Sequence, residues 1–140
     1  MDKSTTYRKK RLQEQPTLCV SCLKRERTSP FSQCSTCIQS RRNQYRLLKL
    51  EVFNAYGGPV CACCGETEFQ FLCIDHVNNN RPQQCLELGW KNPSSSRLYS
   101  WLKRNGFPPG YQILCWNCNR GKWSNGGICP HKKGVFYVPS

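Results

Sequence analysis

The sequence predicts a small α+β protein that is held together by metal-bound cysteines more than by an apolar core. Three observations predict it. Twelve of the 140 residues are cysteine, and eight of these stand in Cys-x-x-Cys pairs. The apolar fraction is 38% and the mean hydropathy −0.66, so the core is thin, and small chains with thin cores need staples. Two short apolar runs, Phe69–Asp75 and Tyr111–Leu114, read as strands, with helical patterns before and between them.

The cysteines divide disulfide from metal chemistry through the expected compartment. No stretch near the N-terminus reads as a signal peptide, and none reaches membrane-spanning length. The chain is therefore expected inside a cell, where thiols stay reduced and paired cysteines take zinc. No membrane partner is expected. Lys and Arg number 21 against 8 Asp and Glu, a net charge of +13. Eight zinc-bound thiolates and two zinc ions change this by −8 and +4, leaving +9. A surface so basic points to a polyanion, of which nucleic acid is the commonest. Residues 1–50 carry 12 of the basic residues against 3 acids, and residues 51–140 carry 9 against 5. The first part reads as the grip and the second as the tool.

Residues 1–16 form a basic arm, with Arg8-Lys9-Lys10-Arg11 as its charged run. The expectation is a loosely ordered segment able to lie along phosphates or simply to be solvated. Residues 17–37 form a four-cysteine zinc ribbon or finger, with Cys19, Cys22, Cys34 and Cys37 as ligands. Residues 38–57 read as a linking basic helix. Ile38, Tyr45, Leu48, Val52, Phe53 and Tyr56 recur at helical spacing, Arg41, Arg42, Arg46 and Lys49 offer positive charge to nucleic acid, and Gly57-Gly58-Pro59 stops it.

Residues 58–132 form the second module. Cys61 and Cys64 precede the first strand, and Cys115 and Cys118 follow the second, so four thiolates pin both ends to a second zinc. Cys63 is then a spare, Cys73 faces the core, and Cys85 sits unassigned in a polar loop spanning Val77 to Asn92. Ser94-Ser95-Ser96 supplies N-caps for a helix to Asn105, with Leu98, Trp101 and Leu102 on one face. Trp90, Trp101, Trp116 and Trp123 are expected to pack around the core. A short helix or turn begins at Asn119 and breaks at Gly126-Gly127, and residues 133–140 form a tail.

Asp75, His76 and Asn119 sit where the two strands would end. Phosphodiester hydrolysis needs a base, and a histidine near neutral pKa serves. It also needs charge stabilisation at the leaving oxygen, which a hard divalent cation on oxygen ligands supplies. Asp75 offers a carboxylate and Asn119 a carbonyl, and the zinc knuckle would bring them together beside His76.

The pattern Cys61-x2-Cys64, Ile74-Asp75-His76 and Ile113-Leu114-Cys115-Trp116-Asn117-Cys118-Asn119 resembles the zinc-containing HNH nucleases of ββα-metal fold, in particular the phage recombination endonuclease VII-like group. The likeness covers roughly residues 50–132. It implies a DNA endonuclease with His76 as general base and one magnesium or manganese ion on Asp75 and Asn119, leaving a 5′ phosphate and a 3′ hydroxyl. Arg120 and Lys122 would contact the phosphate being cut. His131 is a further candidate for the catalytic metal, a partner of Cys129 in a third metal site, or a surface residue. A phage-encoded chain of this kind would act in the bacterial cytoplasm, as monomer or homodimer. The rival readings are a non-catalytic zinc-dependent DNA-binding regulator and a structural or RNA-binding zinc ribbon.

Overall fold

A computed structural model of the chain describes residues 3–28 and 30–133, the side chains of Lys3, Ser4 and Lys133 excepted. Residues 134–140, most of the expected tail, lie outside the described residues. The chain divides into two compact units between Arg46 and Leu47. That boundary falls inside one helix, α2 (Ser35–Ala55), which is the expected linking helix begun three residues earlier.

The first unit corrects the expected loose arm. Lys3–Glu14 is a helix, α1, all of whose described side chains are polar or charged except Tyr7 and Leu12. It does not stand alone: the Arg8 guanidinium donates to the carbonyls of Val20 at 2.8 Å and Ser21 at 2.9 Å, beside the first cysteine pair. Part of the charge read as a phosphate grip is thus spent within the unit. An isolated bridge, Leu18 to Glu26, closes the loop that carries Cys19 and Cys22.

The second unit is an antiparallel two-stranded sheet flanked by helices. Strand β1 (Leu72–His76) pairs with β2 (Tyr111–Cys115), with Ile74 opposite Ile113 and Asp75 opposite Gln112. The predicted first strand was longer at its start: Phe69–Phe71 is a single 3-10 turn, capped by the Glu68 carboxylate accepting from the Gln70 N–H. Its core gathers Val52 and Phe53 of α2, Leu72, Ile74, Ile113 and Leu114 of the sheet, and Tyr99 and Leu102 of helix α4 (Ser95–Arg104). Ser94 caps α4 as expected, its hydroxyl accepting from the Arg97 N–H.

Two elements depart from expectation. The polar loop after β1 contains a helix, α3 (Arg81–Glu87), opened by proline in its first turn. Helix α5 (Trp116–Ser124) begins directly after β2, so Asn119 lies one turn inside a helix and not at a strand end. The Cys115 thiol accepts from the Cys118 N–H at 3.4 Å, so a single cysteine pair serves both as metal knuckle and as helix N-cap. A four-residue helix, α6 (Pro130–Lys133), follows the Gly126-Gly127 turn. Gly127 sits at φ +94°, and a Cβ there would come 2.5 Å from the Asn79 amide nitrogen, so this close approach to the β1 loop requires glycine.

Candidate active site and cysteine clusters

Side chains alternate across a strand, so Cys73 and Asp75 share one face of β1. Side chains three apart share one face of a helix, so Asn119 and Lys122 share one face of α5. The two pairs meet. Asn119 Nδ2 donates to Cys73 Sγ at 3.1 Å, and Lys122 Nζ reaches Asp75 Oδ2 at 2.6 Å. Both partners of the ion pair are buried, with side chains 6% and 10% exposed. Lys122 Nζ also donates to the carbonyls of His76 at 2.6 Å and Val77 at 3.1 Å, so all three ammonium protons have acceptors. Gln112, opposite Asp75 in the sheet, donates to Oδ2 as well, at 2.8 Å. These contacts all fall on Oδ2; Asp75 Oδ1 takes none of them.

The same logic fixes Asn119. With its nitrogen directed at Cys73, its carbonyl oxygen is the side-chain atom left to accept or coordinate. Cys73 is therefore more than the core filler expected: its thiol donates to the Leu114 carbonyl at 3.4 Å and accepts from Asn119. Burial pushes that thiol above its ordinary value and keeps it protonated.

His76 closes β1 on the other strand face. Its ring lies 4.9 Å from the Tyr111 ring, its partner in the sheet. Its Nε2 is 2.7 Å from Gln84 Oε1. Gln84 turns its amide nitrogen to the Tyr111 hydroxyl, so the oxygen faces the ring and His76 Nε2 carries the proton. Nδ1 is then the basic nitrogen. Burial lowers the His76 pKa, and the hydrogen bond that the ring donates to Gln84 opposes it. The imidazole is thus held neutral near pH 7.

Asp75, His76 and Asn119 line one cleft of about 700 Å³, together with Arg81, Arg120 and Trp123. Arg120 lies over the Trp123 ring at 4.4 Å. Trp123 and Trp116 are 70% and 60% exposed at this cleft, where core packing was expected of them. Trp90 and Trp101 do pack together, edge to face at 6.1 Å. Arg81, Gln84 and Gln112 were not singled out from sequence. A glutamine inside the apolar run Tyr111–Cys115 was the one available signal.

Two expected nucleic-acid contacts are corrected. Lys122 is buried in the ion pair and three hydrogen bonds, so it is not available to a phosphate. Lys49 is also buried: its ammonium donates to the Phe69 carbonyl at 2.8 Å and lies 4.5 Å from the Phe69 ring centre. Arg41 and Arg42 of α2 are exposed, as is Arg120.

The cysteines gather into clusters. Cys19, Cys22, Cys34 and Cys37 have sulfurs within 4.8 Å of one another, and so do Cys61, Cys64, Cys115 and Cys118. Both groups could hold zinc. Four tetrahedral sulfurs about 2.3 Å from a zinc ion lie about 3.8 Å apart. The Cys64 and Cys115 sulfurs are separated by 3.7 Å. Burial pushes the Cys61 thiol up, but the backbone groups of Cys64, Cys115 and Cys63 outweigh it and bring the pKa down to about 6. Cys19 behaves alike, through Cys34, Cys22 and Ser21. Such thiols are primed to ionise and coordinate.

His131 does not reach the cleft. Its Nδ1 lies 3.3 Å from Cys118 Sγ and 3.7 Å from Cys129 Sγ, and it groups with these and Cys63. Cys63 is thereby no spare. No helix among the described residues is long and apolar enough to cross a membrane. The chain matches no protein-family model, no curated protein and no solved structure.

Proposed function

We propose that this chain is a metal-dependent DNA endonuclease of the HNH, ββα-metal type. The observation that carries the reading is the convergence of Asp75, His76 and Asn119 on one cleft flanked by Arg81 and Arg120. Their orientations support it. The neutral His76 ring, protonated at Nε2 by its bond to Gln84, would accept a proton from water at Nδ1. Asp75 Oδ1 and the Asn119 carbonyl fit a hard cation such as magnesium or manganese, both being oxygen donors left open by contacts that use their neighbouring atoms. Such an ion, when bound, stabilises charge on the scissile phosphate and the leaving oxygen. Arg81 and Arg120 would hold the DNA phosphates, and the exposed arginines of α2 would add sequence-independent grip. Gln84 positions His76 without touching substrate, and Cys73 does the same for Asn119.

A second reading has one observation in its favour. The Lys122 ammonium already neutralises Asp75, which weakens the pull of that carboxylate on a cation and suits a fold that binds DNA without cutting it. Incubation with supercoiled plasmid decides between them. A nuclease nicks the plasmid only with added magnesium or manganese, and His76→Ala slows nicking about 100- to 10,000-fold while leaving binding intact. Retarded but intact plasmid with either metal, on branched as well as linear substrates, would leave the binding protein.

A further inference from the structure

Seven metal-binding side chains surround the start of α5, and they do not divide into two separate sets. Cys61, Cys64, Cys115 and Cys118 form one group whose ligand atoms lie within 4.8 Å of each other. Cys63, Cys129 and His131 form a second such group, completed again by Cys118. Two tetrahedral zinc ions need eight coordination positions, and seven ligands fill eight positions only if one is shared. We propose that the Cys118 thiolate bridges two zinc ions, so that the second unit carries a binuclear zinc cluster of six cysteines and one histidine.

The geometry suits both halves. Cys63 and Cys64 are adjacent in sequence, and their sulfurs belong to different groups, as a turn between two ions requires. A sulfur at about 2.3 Å and an imidazole nitrogen at about 2.0 Å from one zinc lie about 3.5 Å apart in a tetrahedron. Cys118 Sγ and Cys129 Sγ lie 3.3 and 3.7 Å from His131 Nδ1, on either side of that value. Cys118 is fully buried, so its sulfur is surrounded by partners and not by water. Thiolate sulfur keeps lone pairs after binding one soft ion, which carboxylate-poor surroundings leave for a second.

A further feature of the chain makes room for the second half. Gly121 in α5 faces the Cys129-Pro130 segment, where a Cβ would lie 3.1 Å from Pro130 Cδ and 3.9 Å from the Cys129 sulfur. The helix is bare at the point where the third-group ligands approach. The second zinc would fasten α6 to α5 one residue before Asn119, so the cluster would fix the depth at which that amide enters the cleft. The inference does not depend on DNA cleavage.

Metal counting and cadmium NMR test it on the full chain. Purified protein should contain three zinc ions per chain, one of them in the Cys19, Cys22, Cys34 and Cys37 group. Replaced by cadmium-113, the chain should give three resonances, two of them split by each other through the shared sulfur. The double variant Cys129→Ser/His131→Ala keeps the four-cysteine group intact. It should bind two metals and lose the splitting while its circular dichroism stays that of a folded chain. Two zinc ions in the wild type would overturn the proposal, as would three cadmium resonances without mutual splitting.

Discussion

The chemistry of the proposed nuclease rests on which atom of each residue is left open. For His76, burial favours the neutral ring, so its pKa in the folded chain lies below the ordinary 6.5. A general base works in the deprotonated form, which predominates above the folded pKa. Nicking should therefore be at its plateau at pH 7 and fall only as the pH drops through a value below 6.5. A single-turnover pH profile at saturating metal checks this; an inflection at or above the ordinary histidine value would contradict it. Lys122 makes a different prediction. Its removal leaves the buried Asp75 carboxylate without its counter-charge and the His76 carbonyl without this donor, and Lys122→Ala should cost about 3–5 kcal/mol in urea unfolding. The meeting of Asp75, His76 and Asn119 at one cleft was legible from residue type and spacing. The inward turn of Lys122 and Lys49 was not, because a lysine in a basic sequence looks the same whether it faces water or a buried acceptor. Nor was the service of Gln84 and Gln112, whose partners lie 8 and 37 residues away in sequence.

At the scale of elements, α5 does the most. It starts on a cysteine knuckle, carries Asn119 and Lys122 against β1, and leaves Gly121 bare beside Pro130. A branched side chain there meets the proline ring, so Gly121→Val should destabilise the second unit by about 1–3 kcal/mol, read as a lower thermal midpoint. Ser94→Ala removes the side-chain acceptor at the start of α4 and should cost about 1 kcal/mol by the same measurement. The sequence shows α4 and its cap clearly, because serine precedes a clean apolar face. It shows α5 poorly, since the helix opens inside the knuckle, where Trp116-Asn117 carries no periodic signal. It hides α3 altogether: Arg81-Pro82-Gln83-Gln84 has the composition of a loop, and no side chain caps its start.

At the scale of the whole molecule, cysteine arithmetic carries the fold further than hydrophobic patterning does. Among the described residues, the second unit's core is a dozen buried side chains, four of them cysteines. Metal binding should then be folding free energy, and a strong chelator should abolish the cooperative thermal transition, with zinc restoring it. Persistence of that transition after complete zinc removal would show the core to be sufficient alone. The four-cysteine groups were legible because paired spacing is a strong signal. The third grouping was half visible, as Cys129 and His131, but its use of Cys63 and Cys118 depends on segments distant in sequence meeting.

The most direct measurement is the rate of plasmid nicking against magnesium concentration for the wild type, His76→Ala and Asn119→Ala. The expected result is saturable, metal-dependent nicking by the wild type. His76→Ala should lower the maximal rate with little change in the half-saturating metal concentration, and Asn119→Ala should raise that concentration. Wild-type protein that leaves DNA intact at every metal concentration, or variants that cut as fast as the wild type with the same metal requirement, would contradict a nuclease centred on Asp75, His76 and Asn119.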